Sequence, residues 1–142
     1  MNPTPAKNKE MINTRIKHRE EWRQFAGIML EEYQEEYFTA TYPNEYMLYS
    51  LVVRPHQRRK LGAITHRAIS CRIQTVNKDL HPEVTKLLQK YNEVTDIPIL
   101  LNTSFNDNGQ PIIETPKDAV STFNNIDLDF LVINNFLITK NK

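Results

Sequence analysis

Lys17 and Arg19 stand two residues apart, Arg72 lies in a stretch of alternating polarity, and Asn102, Ser104 and Asn106 crowd into one short segment. These residue types suit recognition of anions and amides. An arginine fork grips two oxygens of a phosphate or carboxylate at once. A hydroxyl beside a carboxamide can orient a planar carbonyl together with its amino group. Such a set stabilises charge rather than supplying a nucleophile. The sequence has no serine elbow, and His18, His56, His66 and His81 lack metal-ligand spacing. Cys71, the one cysteine, falls on the apolar side of its stretch with nothing beside it to lower its pKa, so it is expected to fill core. The residues by themselves support binding of a phosphorylated small molecule and leave the catalytic residues unassigned.

The elements that must position these groups follow from periodicity. Ile97 to Leu101 reads as a buried strand that empties into Asn102-Thr103-Ser104-Phe105-Asn106, and strand ends of this kind are where α/β proteins collect ligands. Ile12 to Arg19 alternates, which predicts a strand with Lys17 and Arg19 on one face, either a solvated face or an anion site. Glu20 to Phe38 reads as helix or strand around Phe25 and Gly27, with a short helix over Glu31 to Tyr37. Tyr46 to Val53 is apolar on both faces and predicts a buried strand, followed by the basic loop Arg54 to Lys60. Ile64 to Val76 alternates again, with Cys71 and Ile73 on one side and Arg72, Gln74 and His66 on the other. There Arg72 serves either a structural ion pair or an anion. Pro82 opens a helix with the stripe Val84, Leu87, Leu88 and Tyr91. Thr115-Pro116-Lys117-Asp118 caps another that buries Ala119, Val120 and Phe123, and a hairpin about Asn134-Asn135 ends the chain. Mixed order with strands outnumbering helices makes this an α/β chain.

Composition narrows the classes. With 142 residues and 39% apolar content, one domain over residues 11–142 is expected, after a loose lead-in over residues 1–10. Eighteen basic against seventeen acidic side chains give a net charge of +1, which argues against nucleic acid as a partner, as does a basic loop without interleaved aromatics. No apolar run reaches the roughly 20 residues of a membrane span, and a cytoplasmic protein is expected. Three glycines leave no room for a glycine-rich phosphate loop, so side chains must carry any phosphate.

The segments "NTRIKHREEWRQF", "HRAISCRIQTV", "ILLNTSFNDNGQPIIETPKDA" and "LDFLVINNFLITK" resemble the C-terminal domain of the O-carbamoyltransferases of the nodulation and antibiotic-biosynthesis type, over nearly all of residues 11–140. The resemblance implies a twisted mixed sheet with flanking helices, similar to the fold that makes threonylcarbamoyl adenylate. It also implies a reaction in which carbamoyl phosphate and ATP, with Mg2+, form a carbamoyl adenylate, whose carbamoyl group passes to a hydroxyl held by a separate actin-like domain or chain. Lys17-His18-Arg19 and Ser104-Phe105-Asn106 match the family's Lys-x-Arg and Ser-x-Asn pairs. By that match Lys17, Arg19 and Arg72 neutralise phosphate and carbamoyl oxygens, while Ser104 and Asn106 orient the bound group. Arg23, Asn102 and His66 complete the implied binding set, and no metal is held by the protein itself. Gln24 and Gly27 stand where the family has prolines, and Ala68 and Ile69 where it has an acidic residue and a glycine. The other readings are a stand-alone module for nucleotide or carbamoyl phosphate, and a non-catalytic remnant.

Overall fold

The computed structural model describes residues 1–140. They form two compact units: residues 1–9 with 24–103, and residues 10–23 with 104–140. The first helix, α1 (Lys7–Met11), carries the chain from one to the other, and a π-helical turn, Ile12–Ile16, follows it.

The first unit is built on a mixed four-stranded sheet of β1 (Ala26–Leu30), β2 (Ser50–Val52), β3 (Ser70–Val76) and β4 (Ile99–Asn102), in the order β2-β3-β1-β4. β1 runs parallel to β3 and antiparallel to β4, and β2 is antiparallel to β3. The short helix expected over Glu31 to Tyr37 is a 3-10 turn, Glu31–Tyr33, running into α2 (Gln34–Tyr37). α3 (Pro82–Thr95) begins at its proline and stops where Asp96 takes a left-handed φ of 56°. It covers one end of one sheet face, where Leu88 packs with Leu30 and Val76, flanked by Ile28, Val84 and Leu100. On the opposite face β1 meets its neighbours closely at Gly27, where an added Cβ would stand 2.7 Å from Ile73 Cδ1 and 2.8 Å from Ile64 Cδ1. Leu87, expected in the helix stripe, is exposed, and Thr85 is buried in its place.

Both sheet edges are covered by chain from the same unit. Met1 exchanges backbone hydrogen bonds with Leu101 of β4, and Thr39 N–H donates to Val52 O of β2. The segment read as a loose lead-in is therefore tied to the sheet at its first residue. The long buried strand expected over Tyr46 to Val53 is corrected: only Ser50–Val52 pairs as a strand, at the edge, and Tyr46 and Leu48 are 78% and 75% exposed. Edge position removes one layer of cover, so apolar residues there do not report burial. The basic stretch is a 3-10 helix, Pro55–Leu61, rather than a loop.

The second unit contains the π-helical turn, α4 (Pro116–Asn125), and the hairpin of β5 (Phe130–Ile133) and β6 (Phe136–Thr139). Thr115 Oγ1 accepts from Asp118 N–H at 3.2 Å, which is the expected N-cap. Asn134 turns the hairpin at φ 51°. Ala119, Phe123 and Leu131 form the core of this unit, with Phe105, Ile113 and Ile138 against it. Val120 faces outward and Thr122 inward, the reverse of part of the expected stripe.

The strand expected over Ile12 to Arg19 is overturned. Ile12, Asn13, Ile16 and Lys17 are the buried residues, two pairs four apart, and Lys17 N–H bonds back to Ile12 O at 2.8 Å. Residues at i and i+4 share a face in a helix and in a strand alike, so Ile12 and Ile16 fitted both periods. Among the described residues no helix is long and apolar enough to cross a membrane.

Two substitutions separate packing from pattern. Leu88→Ala is expected to lower unfolding free energy by about 2–5 kcal/mol and Leu87→Ala by less than about 0.5, measured by denaturant titration.

Candidate functional site

The second unit brings Lys17, Arg19, Arg23, Ser104 and Asn106 around one polar cavity of about 240 Å³, completed by Asp107, Asn108 and Gly109. Local backbone explains how residues that do not share a strand converge. The π-helical turn delivers Lys17 inward, and His18 at φ 45° reverses the chain before Arg19. Histidine is among the residue types that tolerate this left-handed region better than most. On the other wall, Gln110 N–H bonds to Asp107 O at 3.2 Å across a turn whose Gly109 has φ 76°, a value that favours glycine.

Lys17 is buried although charged, and its acceptors all come from the opposing loop. Its Nζ donates to Ser104 O at 3.1 Å, Asn106 O at 2.5 Å and Asn106 Oδ1 at 2.7 Å. An ammonium has three protons, so these bonds saturate it. Ser104 Oγ donates to Asn106 Oδ1 at 2.6 Å, and Asn106 Nδ2 donates to Gln110 O at 2.8 Å. The Ser-x-Asn pair is thus clamped by the lysine of the Lys-x-Arg pair. Having spent its proton, the Ser104 hydroxyl keeps its lone pairs for an incoming N–H. Burial lowers the Lys17 pKa from its ordinary 10.5, with Arg19 and Arg23 adding to the effect and Asp107 opposing it. Burial, and then Arg23, lower the Arg19 pKa from its ordinary value.

Two residues that the sequence reading missed hold the walls together. Asp107 Oδ1 bonds His18 Nδ1 at 2.8 Å, and Asn108 Nδ2 donates to His18 O at 3.0 Å. Burial alone would raise the Asp107 pKa. The bonds from His18 and from Asn108 N–H, and the charges of His18 and Lys17, outweigh it and hold the group below 3.8. A third, Asn13, lies fully buried beneath Arg19, and its Oδ1 accepts from Arg19 Nε at 2.8 Å. The expected strand put Asn13 on the polar face, so the sequence carried no signal for its burial. A separate open cavity of about 380 Å³ lies between Gln110–Glu114 and the α4 residues Asp118, Ser121 and Thr122.

His66, Arg72 and Asn102 belong to the first unit. Gly27 is in register with Ile73 and Ala26 with Asn102, so Arg72, Ala26 and Asn102 form one lateral row with the small alanine at its centre. Asn102 Nδ2 donates to Gln74 Oε1 at 3.1 Å on that same face, and Arg72 is exposed. His66 Nε2–H donates to Phe25 O at 3.4 Å. Burial lowers the His66 pKa from its ordinary value; that bond opposes the shift, and Arg72 and Lys9 reinforce it. His66 opens a turn in which Ile69 N–H bonds to His66 O at 2.9 Å and Ile69 has φ 55°. A β-branched residue is strained there, which explains why a glycine is the expected occupant. Cys71 is buried, and burial pushes its thiol up to about 12, which rules it out as a nucleophile at neutral pH.

The Asp107 link carries a pH signature. Its lowered folded-state pKa contributes stability that is present above 3.8 and is lost as pH falls through the folded value. Asp107→Asn is expected to lose less stability than the wild type between pH 5 and pH 2, read from urea midpoints. In the first unit, Ile69→Gly is expected to raise the thermal midpoint, since relief of about 1–2 kcal/mol of left-handed strain exceeds the entropy that glycine adds to the unfolded chain.

The family profile described as "Carbamoyltransferase C-terminus" matches residues 1–140. Nodulation protein NolO of Bradyrhizobium diazoefficiens is 41% identical over 141 residues, covering 97% of this chain and 26% of that protein. Nodulation protein NolNO of Sinorhizobium fredii is 40% identical over 141 residues, covering 97% of this chain and 21% of its own length. Nodulation protein U of Rhizobium tropici is 33% identical over 139 residues, covering 98% of this chain and 24% of its own length. The chain therefore spans about a fifth to a quarter of the length of these curated relatives. With the mixed α/β fold, the Lys-x-Arg and Ser-x-Asn pairs in contact, and a match over every described residue, the chain belongs to the carbamoyltransferase C-terminus family.

Proposed function

We propose that this chain is the carbamoyl-activating part of an ATP-dependent O-carbamoyltransferase. It binds carbamoyl phosphate and ATP: water takes the phosphate from carbamoyl phosphate to leave carbamate, a carbamate oxygen displaces pyrophosphate from the ATP α-phosphorus to form carbamoyl adenylate, and the carbamoyl group passes to a hydroxyl held by a separate actin-like domain or chain with release of AMP. The observation that carries this reading is the saturated Lys17 clamp on Ser104 and Asn106 inside a cavity that Arg19 and Arg23 also line.

Each part of that arrangement has a chemical use. Lys17, Arg19 and Arg23 against the single carboxylate of Asp107 leave the cavity with an excess of positive charge that a phosphoryl dianion would offset. The Ser104 hydroxyl, committed as a donor to Asn106, accepts from the carbamoyl amino group. That contact distinguishes a carbamoyl ester from a simple phosphate or acyl phosphate. A cavity of about 240 Å³ suits a compact phosphorylated compound or a phosphate chain rather than a whole nucleotide. Arg72, Gln74 and Asn102 give the first unit its own polar sheet surface for further contacts. Mg2+ enters with ATP, as the counter-ion of its phosphates. The chain contributes orientation and charge stabilisation, and the acceptor chemistry belongs to the remainder of the assembly.

Calorimetric titration with carbamoyl phosphate and with ATP tests the proposal, alongside pyrophosphate release when both are present. Arg19→Ala is expected to weaken carbamoyl phosphate binding at least tenfold, about 1.4 kcal/mol. Binding without pyrophosphate release would leave the stand-alone module reading, and no binding of either ligand would sink both.

A further inference from the structure

Asn13 makes more interactions with the cavity wall than any role in the core requires. Its side chain is fully buried, and each of its polar atoms is committed. Nδ2 donates to Glu21 O at 3.2 Å and to Arg23 O at 2.9 Å, while Oδ1 accepts from Arg19 Nε at 2.8 Å. Its backbone carbonyl accepts from Arg19 N–H at 2.9 Å. Arg19 is thus held by one residue at both its main chain and its side chain. A bond to Nε fixes the plane of a guanidinium, because Nε is part of that plane. The same carboxamide closes the segment from residue 19 to 23 around itself, and Arg19 and Arg23 both line the cavity.

We propose that Asn13 is the positioning residue that sets the plane of the Arg19 guanidinium for the anionic group bound in the Lys17 cavity. The inference rests on the functional reading above and deepens it by naming a specificity element of the same site. The demand on residue 13 is exacting. It must accept one hydrogen bond from a cation and donate two to carbonyls while fully buried from solvent. Asparagine meets this demand, aspartate supplies only the acceptor, and alanine supplies neither. A planar fork with a fixed orientation discriminates between oxygen pairs, whereas a freely turning cation responds to charge alone. Asn13 therefore governs which anion is held more than whether an anion is held.

The experiment combines a double-mutant cycle with a direct view of the guanidinium. Arg19 Nε–H is assigned in 15N–1H spectra by its loss in Arg19→Lys, and its exchange with solvent is compared in wild type, Asn13→Ala and Asn13→Asp. Carbamoyl phosphate and inorganic phosphate are titrated into wild type, Asn13→Ala, Arg19→Ala and the double variant. Slow Nε–H exchange in wild type and Asn13→Asp but fast exchange in Asn13→Ala is expected. Asn13→Ala should weaken carbamoyl phosphate about tenfold, weaken inorganic phosphate less, and change affinity less than twofold once Arg19 is alanine. Unchanged Nε–H exchange in Asn13→Ala, or losses that multiply in the double variant, would overturn the proposal. Should Asn13→Ala fail to fold, Nε–H protection in Asn13→Asp decides, and its loss there counts against the inference. Absence of any carbamoyl phosphate binding by wild type would refute the functional reading, while Nε–H exchange would still decide whether Asn13 holds Arg19.

Discussion

A lysine ammonium taken out of water must find three acceptors or give up its charge, and in this protein the Ser104–Asn106 loop provides them. Lys17 Nζ reaches Ser104 O, Asn106 O and Asn106 Oδ1. The cost of burying the charge is visible in its lowered pKa, and the bonds that offset that cost fix the loop. Because Asn106 Oδ1 also takes the Ser104 proton, one ammonium determines the hydrogen-bonding sense of the whole Ser-x-Asn pair. In this arrangement Lys17 is first an organiser of the site. Its charge reaches a ligand, but its protons are already committed. Under the proposed function, the directional part of anion recognition falls to Arg19 and Arg23.

A second layer holds this arrangement from beneath. His18 and Asn108 cross-link the two walls through Asp107 Oδ1 and the His18 carbonyl, and Asn13 ties residues 19 to 23 into one closed segment. The His18 links join groups about ninety residues apart, the Asn13 links close a local turn, and each is satisfied within the second unit. A site built this way is preorganised: little rearrangement is left to be paid for when a ligand arrives.

The α/β class, the span of α3 and α4, the Thr115 cap and the Asn134 hairpin were legible in the sequence because each rests on local rules. Proline fixes a first turn, threonine caps, and asparagine accepts positive φ. The strand read over Ile12 to Arg19 failed because a four-residue spacing of isoleucines fits two periods, and the decisive residues, buried Asn13 and Lys17, looked like surface. Tyr46 to Val53 failed because hydrophobicity does not distinguish an edge from a centre. The cation and Ser-x-Asn pairs could be named from residue type and resemblance. Asp107 and Asn108 could not, since their roles exist only once segments some ninety residues apart meet, as in the His18 to Asn108 bond, and Asn13 could not, because its bonds to residues 19 to 23 exist only in the turn that replaces the expected strand.

The electrostatics of the cavity bear on why such a site is shaped as it is. Burial is the first cause of the lowered Lys17 and Arg19 pKa values, the neighbouring cations add repulsion to it, and Asp107 is the only carboxylate among the lining residues. Folding therefore works against like-charge repulsion that the hydrogen bonds to Ser104, Asn106 and Asn13 must outweigh. An anion in the cavity would relieve that repulsion and raise both pKa values again, so the free energy stored in crowding the cations returns as affinity for a dianion. The same reasoning accounts for the division between the residues. The most deeply buried cation is the one whose protons are all bound by protein, because only a satisfied charge can remain buried while the ligand is absent. The arginines are less deeply buried than Lys17, and the asparagine under Arg19 keeps that guanidinium aimed.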